Sequence, residues 1–159
     1  MIFLTHFAFA LLLGLLAIEN FQVESGYGAF MAIVIISSLL PDIDCATSLF
    51  GRHAPAIERL FGHRKFFHSL LFVVMAAILV AALFQNPIFA FAALIGAGSH
   101  LLLDSLTPAG LYIFWPSNLI ARGKIRTGSL IDYALFALFA TLSILLLWAH
   151  SASQLSALF

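Results

Sequence analysis

Four histidines and four aspartates have residue types and positions that could hold a metal: His6, then Asp42 and Asp44 in "LLPDID", His63 and His68 in "HRKFFHS", His100 and Asp104 in "SHLLLD", and Asp132 in "LIDYAL". Neutral imidazoles and carboxylates are ordinary ligands for zinc and similar divalent ions. The set exceeds one tetrahedral shell, so two ions about 3.5–4 Å apart, sharing a bridging carboxylate, would use it better. Arg64 and Lys65 lie within the same stretch as two of the histidines. Cations beside metal ligands suit a phosphate ester: metal activates water and neutralises phosphoryl charge while arginine grips the phosphate by its bidentate fork. Arg64, Lys65 and Asp44 are therefore the catalytic candidates, with Arg126 a weaker phosphate contact.

Spacing sharpens some pairs. His100 and Asp104 are four apart, about 40° around a helix, so they share a face, and Gly96 one turn back would let a neighbouring helix approach closely. His63 and His68 are five apart, about 140° around a helix, so His63 is expected to precede the helix while Arg64 and His68 point together into the site. In "PDID" the proline and alternate carboxylates suit an unwound helix end. Taken singly, these features have ordinary explanations. Asp42 or Asp44 could cap a helix, His100 and Asp104 could be a hydrogen-bonded pair, and Asp132 could complement a helix dipole. Convergence argues for function, because an ionisable group at membrane depth costs about 2.5–3.5 kcal/mol on insertion scales. His53 and His150 read as interfacial and stay outside the set.

The elements that must position these groups are membrane spans. Of 159 residues, 63% are hydrophobic and 9% charged, with a mean hydropathy of +1.10, against roughly 25% charged residues in soluble domains. Apolar runs at Ile2–Ile18, Tyr27–Leu40, Phe66–Phe84, Ile88–Leu106 and Leu130–Trp148 predict an all-α bundle of five transmembrane helices in one domain over 1–159. An interfacial or re-entrant piece is expected at 109–117, where the aromatics suit the headgroup level. The first run has no basic n-region and no small-residue cleavage site, so it is expected to be a retained span. Net charge is zero and no basic run exceeds "HRK", which argues against a nucleic-acid partner. The single cysteine, Cys45, cannot form an intrachain disulfide.

With five spans, all seven lysines and arginines fall in Gly51–Lys65 and Thr107–Ser129, on one side, together with every candidate ligand. The positive-inside rule then predicts a cytoplasmic N-terminus, an external C-terminus and a site at the cytoplasmic face.

His6, "LLPDID", "HRKFFHS", "GSHLLLDSLTPAGLYIFWP" and "LIDYAL", in that order, resemble the YdjM-type inner-membrane proteins, a LexA-regulated family described as metal-dependent hydrolases. More distantly, "HLLLD…TP" is similar to the zinc-dependent phospholipase C and single-strand nuclease superfamily, helical proteins whose histidines and aspartates hold zinc ions that cleave phosphate esters. Those relatives are soluble, and the N-terminal tryptophan that supplies ligands in them has no counterpart here. The resemblance implies a membrane-bound hydrolase of phosphate esters with zinc, two ions by the ligand count. A lipid or lipid-linked substrate follows from location, because a site at headgroup depth meets lipid headgroups first. Three other readings remain open: a zinc amidase of the ceramidase kind using Ser69 or Ser99, a metal or proton transporter using the same ligands in transit, and a purely structural metal site.

Overall fold

The computed structural model describes residues 1–21, 23, 26–44 and 64–156, without the side chains of residues 44 and 153–156. Five α-helices account for most of them: α1 Phe3–Asn20, α2 Tyr27–Leu39, α3 Leu70–Phe84, α4 Pro87–Ser105 and α5 Leu130–Ser156. A 3-10 turn, Leu40–Asp44, continues α2. The fold is an all-α bundle, with only an isolated bridge between Leu111 and Ala121 besides the helices among the described residues.

By length and composition three helices can cross a membrane: α1, α4 and α5 over Leu130–Ala152. The two others are shorter apolar helices, Tyr27–Ile43 and Leu70–Phe84. At 1.5 Å per residue α3 covers about 22 Å, short of a hydrocarbon core of about 30 Å. The sequence places its start at Phe66, but the helix begins at Leu70. Ser69 is the N-cap and accepts a hydrogen bond from Phe72 N, so the preceding residues are released as turns. At the other end, Asn86 caps α4 through Ile88 N and Pro87 opens it, where a missing N–H is harmless.

α4 is the centre of the bundle. Its buried Ala92, Ala93, Gly96 and Ala97 present almost no side-chain bulk, which lets α1, α2 and α3 all close on it. Gly96 performs the close approach its position predicts: a Cβ there would overlap Val34 O and lie 2.9 Å from Ser37 Cβ and 3.0 Å from Ser38 N. Away from the ligand end, Ala10, Phe30, Val34, Ala77 and Ala93 form a wholly apolar core. Among the described residues α5 packs chiefly against α1 and leaves most of its surface apolar and exposed, as suits a lipid-facing helix.

Residues 106–129 fold across the ligand end of the bundle. Gly123 N and Ile125 N donate to Thr107 O and Leu106 O, while Tyr112 N donates to Arg64 O and Leu70 N to Ile113 O. The segment thus ties the residues before α3 to the end of α4. Leu111 drops between Val73, Ala97 and Leu101, whereas Phe114 stays exposed. Tyr112 and Trp115 are half-buried beside it.

Candidate metal centre

Three elements converge at one end of α4. The helix presents His100 and Asp104 one turn apart, the 3-10 turn after α2 brings Asp42, and the turns before α3 bring His68. Asp42 Oδ1, His68 Nε2, Asp104 Oδ2 and His100 Nε2 form a ring of donors. Successive separations are 3.9 Å, 3.7 Å, 3.9 Å and, back to Asp42, 3.6 Å. His6, on the first turns of α1, joins from the other side: its Nε2 is 3.2 Å from Asp104 Oδ1 and its ring stacks on His100 with centroids 4.0 Å apart. Two groups could each hold an ion, His6 with His100 and Asp104, and Asp42 with His68 and His100.

The protonation of His100 follows from its neighbours. Nδ1 lies 2.7 Å from Ser38 O, and a carbonyl can only accept, so Nδ1 carries the proton and in the neutral ring Nε2 carries the lone pair. That lone pair faces the aspartates, yet Nε2 is buried with no hydrogen-bond partner among the described residues. His6 Nδ1 is in the same condition. Buried nitrogens are rarely left unsatisfied without a reason, and a ligand's missing cation is one. A backbone carbonyl fixing the far nitrogen is also the usual support behind a metal-binding histidine. Ser38 sits there because Gly96 lets α2 lie against α4.

His6, His68, His100 and Asp104 are buried, while Asp42 is 31% and Arg64 23% exposed, so the cluster opens on the side of these two. Arg64 reaches it differently from expectation. It lies in a turn, not one helical turn before His68, with a left-handed φ of 61°, a conformation costing a side-chain-bearing residue roughly 1–3 kcal/mol. Its guanidinium contacts Asp104 Oδ2 at 3.3 Å and donates to Thr107 Oγ1 at 3.3 Å and Gly110 O at 3.2 Å. Lys65 is exposed beside it.

Asp132 belongs to neither ion-holding group. Its carboxylate accepts from Ile2 N at 3.0 Å, Gly128 N at 2.9 Å and Thr5 Oγ1 at 2.7 Å. It pins the start of α1 to the start of α5, and so sets the height of His6. The Asp44 backbone ends the 3-10 turn, whereas its side chain and all of His63 lie outside the described residues. Sequence reasoning missed Thr5, the Ser38 carbonyl, Thr107 and the Met1 amino nitrogen, which is 2.8 Å from Asp104 Oδ1. Thr5, beside His6, and Thr107, in "LLLDSLTP", stood close enough to a candidate ligand to be noticed.

Comparison with known proteins agrees with this architecture. The family model described as YdjM inner membrane protein matches residues 1–159. The protein YvsG of Bacillus subtilis is 32% identical over 108 residues, 64% of this chain and 68% of that protein. Inner membrane protein YdjM of Escherichia coli is 40% identical over 93 residues, 52% of this chain and 46% of its own length. Inner membrane protein YbcI of Escherichia coli is 36% identical over 90 residues, 51% of this chain and 49% of its own. The match thus spans less than half of each Escherichia coli relative. No solved structure matches. The chain belongs to the YdjM inner membrane protein family.

Proposed function

We propose that this YdjM-family inner membrane protein is a metal-dependent hydrolase that cleaves a phosphate ester of a lipid or lipid-linked molecule at the cytoplasmic face. The observation that carries the reading is the donor ring with His100 Nε2 buried, unsatisfied and aimed into it. Bonds of about 2.0–2.2 Å to nitrogen and oxygen set donor separations near 3.3–3.6 Å in a tetrahedron, and about 2.8–3.1 Å between neighbours in a square plane. The four separations between neighbouring donors, 3.6–3.9 Å, lie nearer the first. Two imidazoles and two carboxylates are ordinary zinc ligands.

When bound, a divalent ion supplies the Lewis acidity that activates water near neutral pH and stabilises phosphoryl charge. His68, His100, Asp42 and Asp104 would hold it, Asp42 being the part-exposed donor that a water could displace to leave the open position hydrolysis needs. Asp104 presents Oδ2 to this ring and Oδ1 to His6, so it would also serve a second ion on the His6 side. His100 can serve only one ion, because Ser38 O engages its other nitrogen. The second set would therefore draw on His6, Asp104 and the remaining candidates, His63 and Asp44. Arg64, held at the open side by Thr107 and Gly110, and exposed Lys65 would orient the substrate phosphate. Arg64, Lys65, Arg122, Lys124 and Arg126 all lie at the ligand end, which supports a cytoplasmic site with the N-terminus inside and the C-terminus outside.

The rival readings find less support. The hydroxyls an amidase would use are committed to the backbone, Ser69 Oγ donating to Phe66 O at 2.6 Å and Ser99 Oγ to Gly96 O at 2.7 Å. A transporter needs a polar path beyond its ligands, and the far half of the bundle is a closed apolar core among the described residues. The test is hydrolysis of phosphate-ester lipids by protein reconstituted with zinc. Arg64→Ala should keep its metal and lose about 30- to 1000-fold in turnover, as expected for a contact worth roughly 2–4 kcal/mol in the transition state. Full activity in Arg64→Ala would remove the phosphate-binding role, and no hydrolysis of any phosphate ester by the loaded protein would remove the reading.

A further inference from the structure

The donor cluster stands at the head of an apolar cleft. α2 and α3 both pack on α4 but make no extended contact with each other, so a trough runs between them. Its volume is about 400 Å³. Leu40 and Ile43 form one wall and Phe72, Met75 and Leu79 the other, with Phe66 and Phe67 at the mouth. From Phe72 to Leu79 the trough follows α3 for about 10 Å toward the membrane interior. A further hollow of about 320 Å³ continues it along α2, sharing Leu40 and Ile43.

Cleft and cluster are joined through the chain. Ile43 follows Asp42, Phe67 precedes His68, and Phe66 follows Lys65. The mouth is thus formed by the residues next to Lys65 and His68, close to part-exposed Arg64, and Ile43 in the wall adjoins part-exposed Asp42. Phe66 meets Phe72 and Trp115 edge-on, at centroid distances of 5.9 Å and 5.4 Å, an aromatic collar of the kind that sits at headgroup level. A larger hollow, about 550 Å³ between α1 and α4, uses Leu94, Gly98 and Leu102. Helical spacing puts these on roughly the opposite face of α4 from His100 and Asp104, so the α4 wall of that hollow turns away from these two donors.

We propose that the α2–α3 cleft seats one acyl chain of a phosphate-headgroup lipid whose headgroup lies at the donor cluster, so that substrate reaches the site sideways from the bilayer. The nature of the headgroup rests on the hydrolase reading. An apolar trough alone cannot select a chain, because lipid tails are as apolar as leucine and wet every such face equally. Selection comes from the tether: a phosphate held by the cations at the mouth keeps its own chain in the adjoining trough. A chain without a phosphate gains nothing there over any other lipid-facing surface.

The test compares two photoactivatable lipids in vesicles containing the full protein: a phosphatidylglycerol and a diacylglycerol, each with a diazirine at the same mid-chain carbon. Labelled residues are mapped by mass spectrometry. Phosphatidylglycerol should label Ile43, Met75 and Leu79 about tenfold more than diacylglycerol does, the ratio that about 1.4 kcal/mol produces, while Leu145 on α5 labels equally with both. Leu79→Trp, a change at an exposed position, should erase the excess at Met75 and leave metal content unchanged. Equal labelling of the cleft by both lipids, in protein that binds metal and hydrolyses a phosphate ester, would overturn the cleft and spare the hydrolase. The tenfold excess in protein with neither metal nor hydrolysis would support the cleft and overturn the hydrolase.

Discussion

Gly96→Ala is the smallest change that should separate α2 from α4. The new methyl would overlap Val34 O and sit 2.9 Å from Ser37 Cβ and 3.0 Å from Ser38 N, where ordinary contacts begin near 3.4 Å. All three obstacles belong to α2, two of them to its backbone, so no side chain can turn aside and α2 must retreat by roughly an ångström. Overpacking of this kind costs about 1–3 kcal/mol. The retreat also stretches the 2.7 Å contact between His100 Nδ1 and Ser38 O, a buried hydrogen bond worth about 0.5–1.5 kcal/mol. Together these cost about 1.5–4.5 kcal/mol of stability, offset by up to about 1 kcal/mol of helix propensity, and metal affinity should fall about 10- to 100-fold as His100 loses the group that orients it. Gly98→Ala is the control, since a Cβ there meets nothing within 4 Å. It should be neutral or stabilising by up to about 1 kcal/mol, through helix propensity alone. Thermal unfolding in detergent and competition with a chelator read both quantities. If Gly96→Ala and Gly98→Ala behave alike in both, the close approach does not hold the site.

Asp132→Asn should cost about 2–4 kcal/mol by weakening the charge-assisted bonds from Ile2 N, Gly128 N and Thr5 Oγ1, while metal per chain stays constant. A loss of metal equal to that of His100→Ala would make Asp132 a ligand after all. Ser69→Ala should lower stability by about 1 kcal/mol, the usual effect of a lost N-cap, and spare phosphate-ester hydrolysis. If it instead abolished cleavage of a lipid amide in protein that still folds, the amidase reading would replace the phosphatase one. A reporter fused after α5 should read as external, opposite to one fused before α1, and a cytoplasmic signal there would mean four spans or a first segment that does not cross.

What the sequence made legible was local. His100, Asp104 and Gly96 lie on one helix, so their shared face follows from 3.6-residue geometry without any knowledge of the partners. The apolar runs located the starts of all five helices to within about four residues, with Ser69, Asn86 and Pro87 marking two of them, whereas the last helix runs past the expected Trp148 to Ser156. Convergence of Asp42 and His68 on the same helix end was readable from the order of the apolar runs, since the end of the second and the start of the third are joined on one side. The approach of Arg64 was not readable. Its left-handed φ and the cap at Ser69 replace the expected helical turn, and the same guanidinium arrives by another path. Nor does a sequence mark a carbonyl as the support for a histidine: Ser38 O does this through its backbone, and any residue type could stand there. Asp132 was ambiguous for a physical reason, because a carboxylate in the first turn of a helix serves a ligand shell and a hydrogen-bonded anchor equally well.

The central claim is that His68, His100, Asp104 and Asp42 hold a metal ion. Elemental analysis of the purified protein, measured beside His100→Ala and Asp104→Ala, tests it most directly. The wild type should carry at least one zinc or similar divalent ion per chain. Each variant should lose it, together with the stability that binding to the folded form confers, about 2.7 kcal/mol when free metal is a hundred times its dissociation constant. A wild-type chain that stays metal-free in excess zinc, or variants that keep the full metal content, would contradict the account.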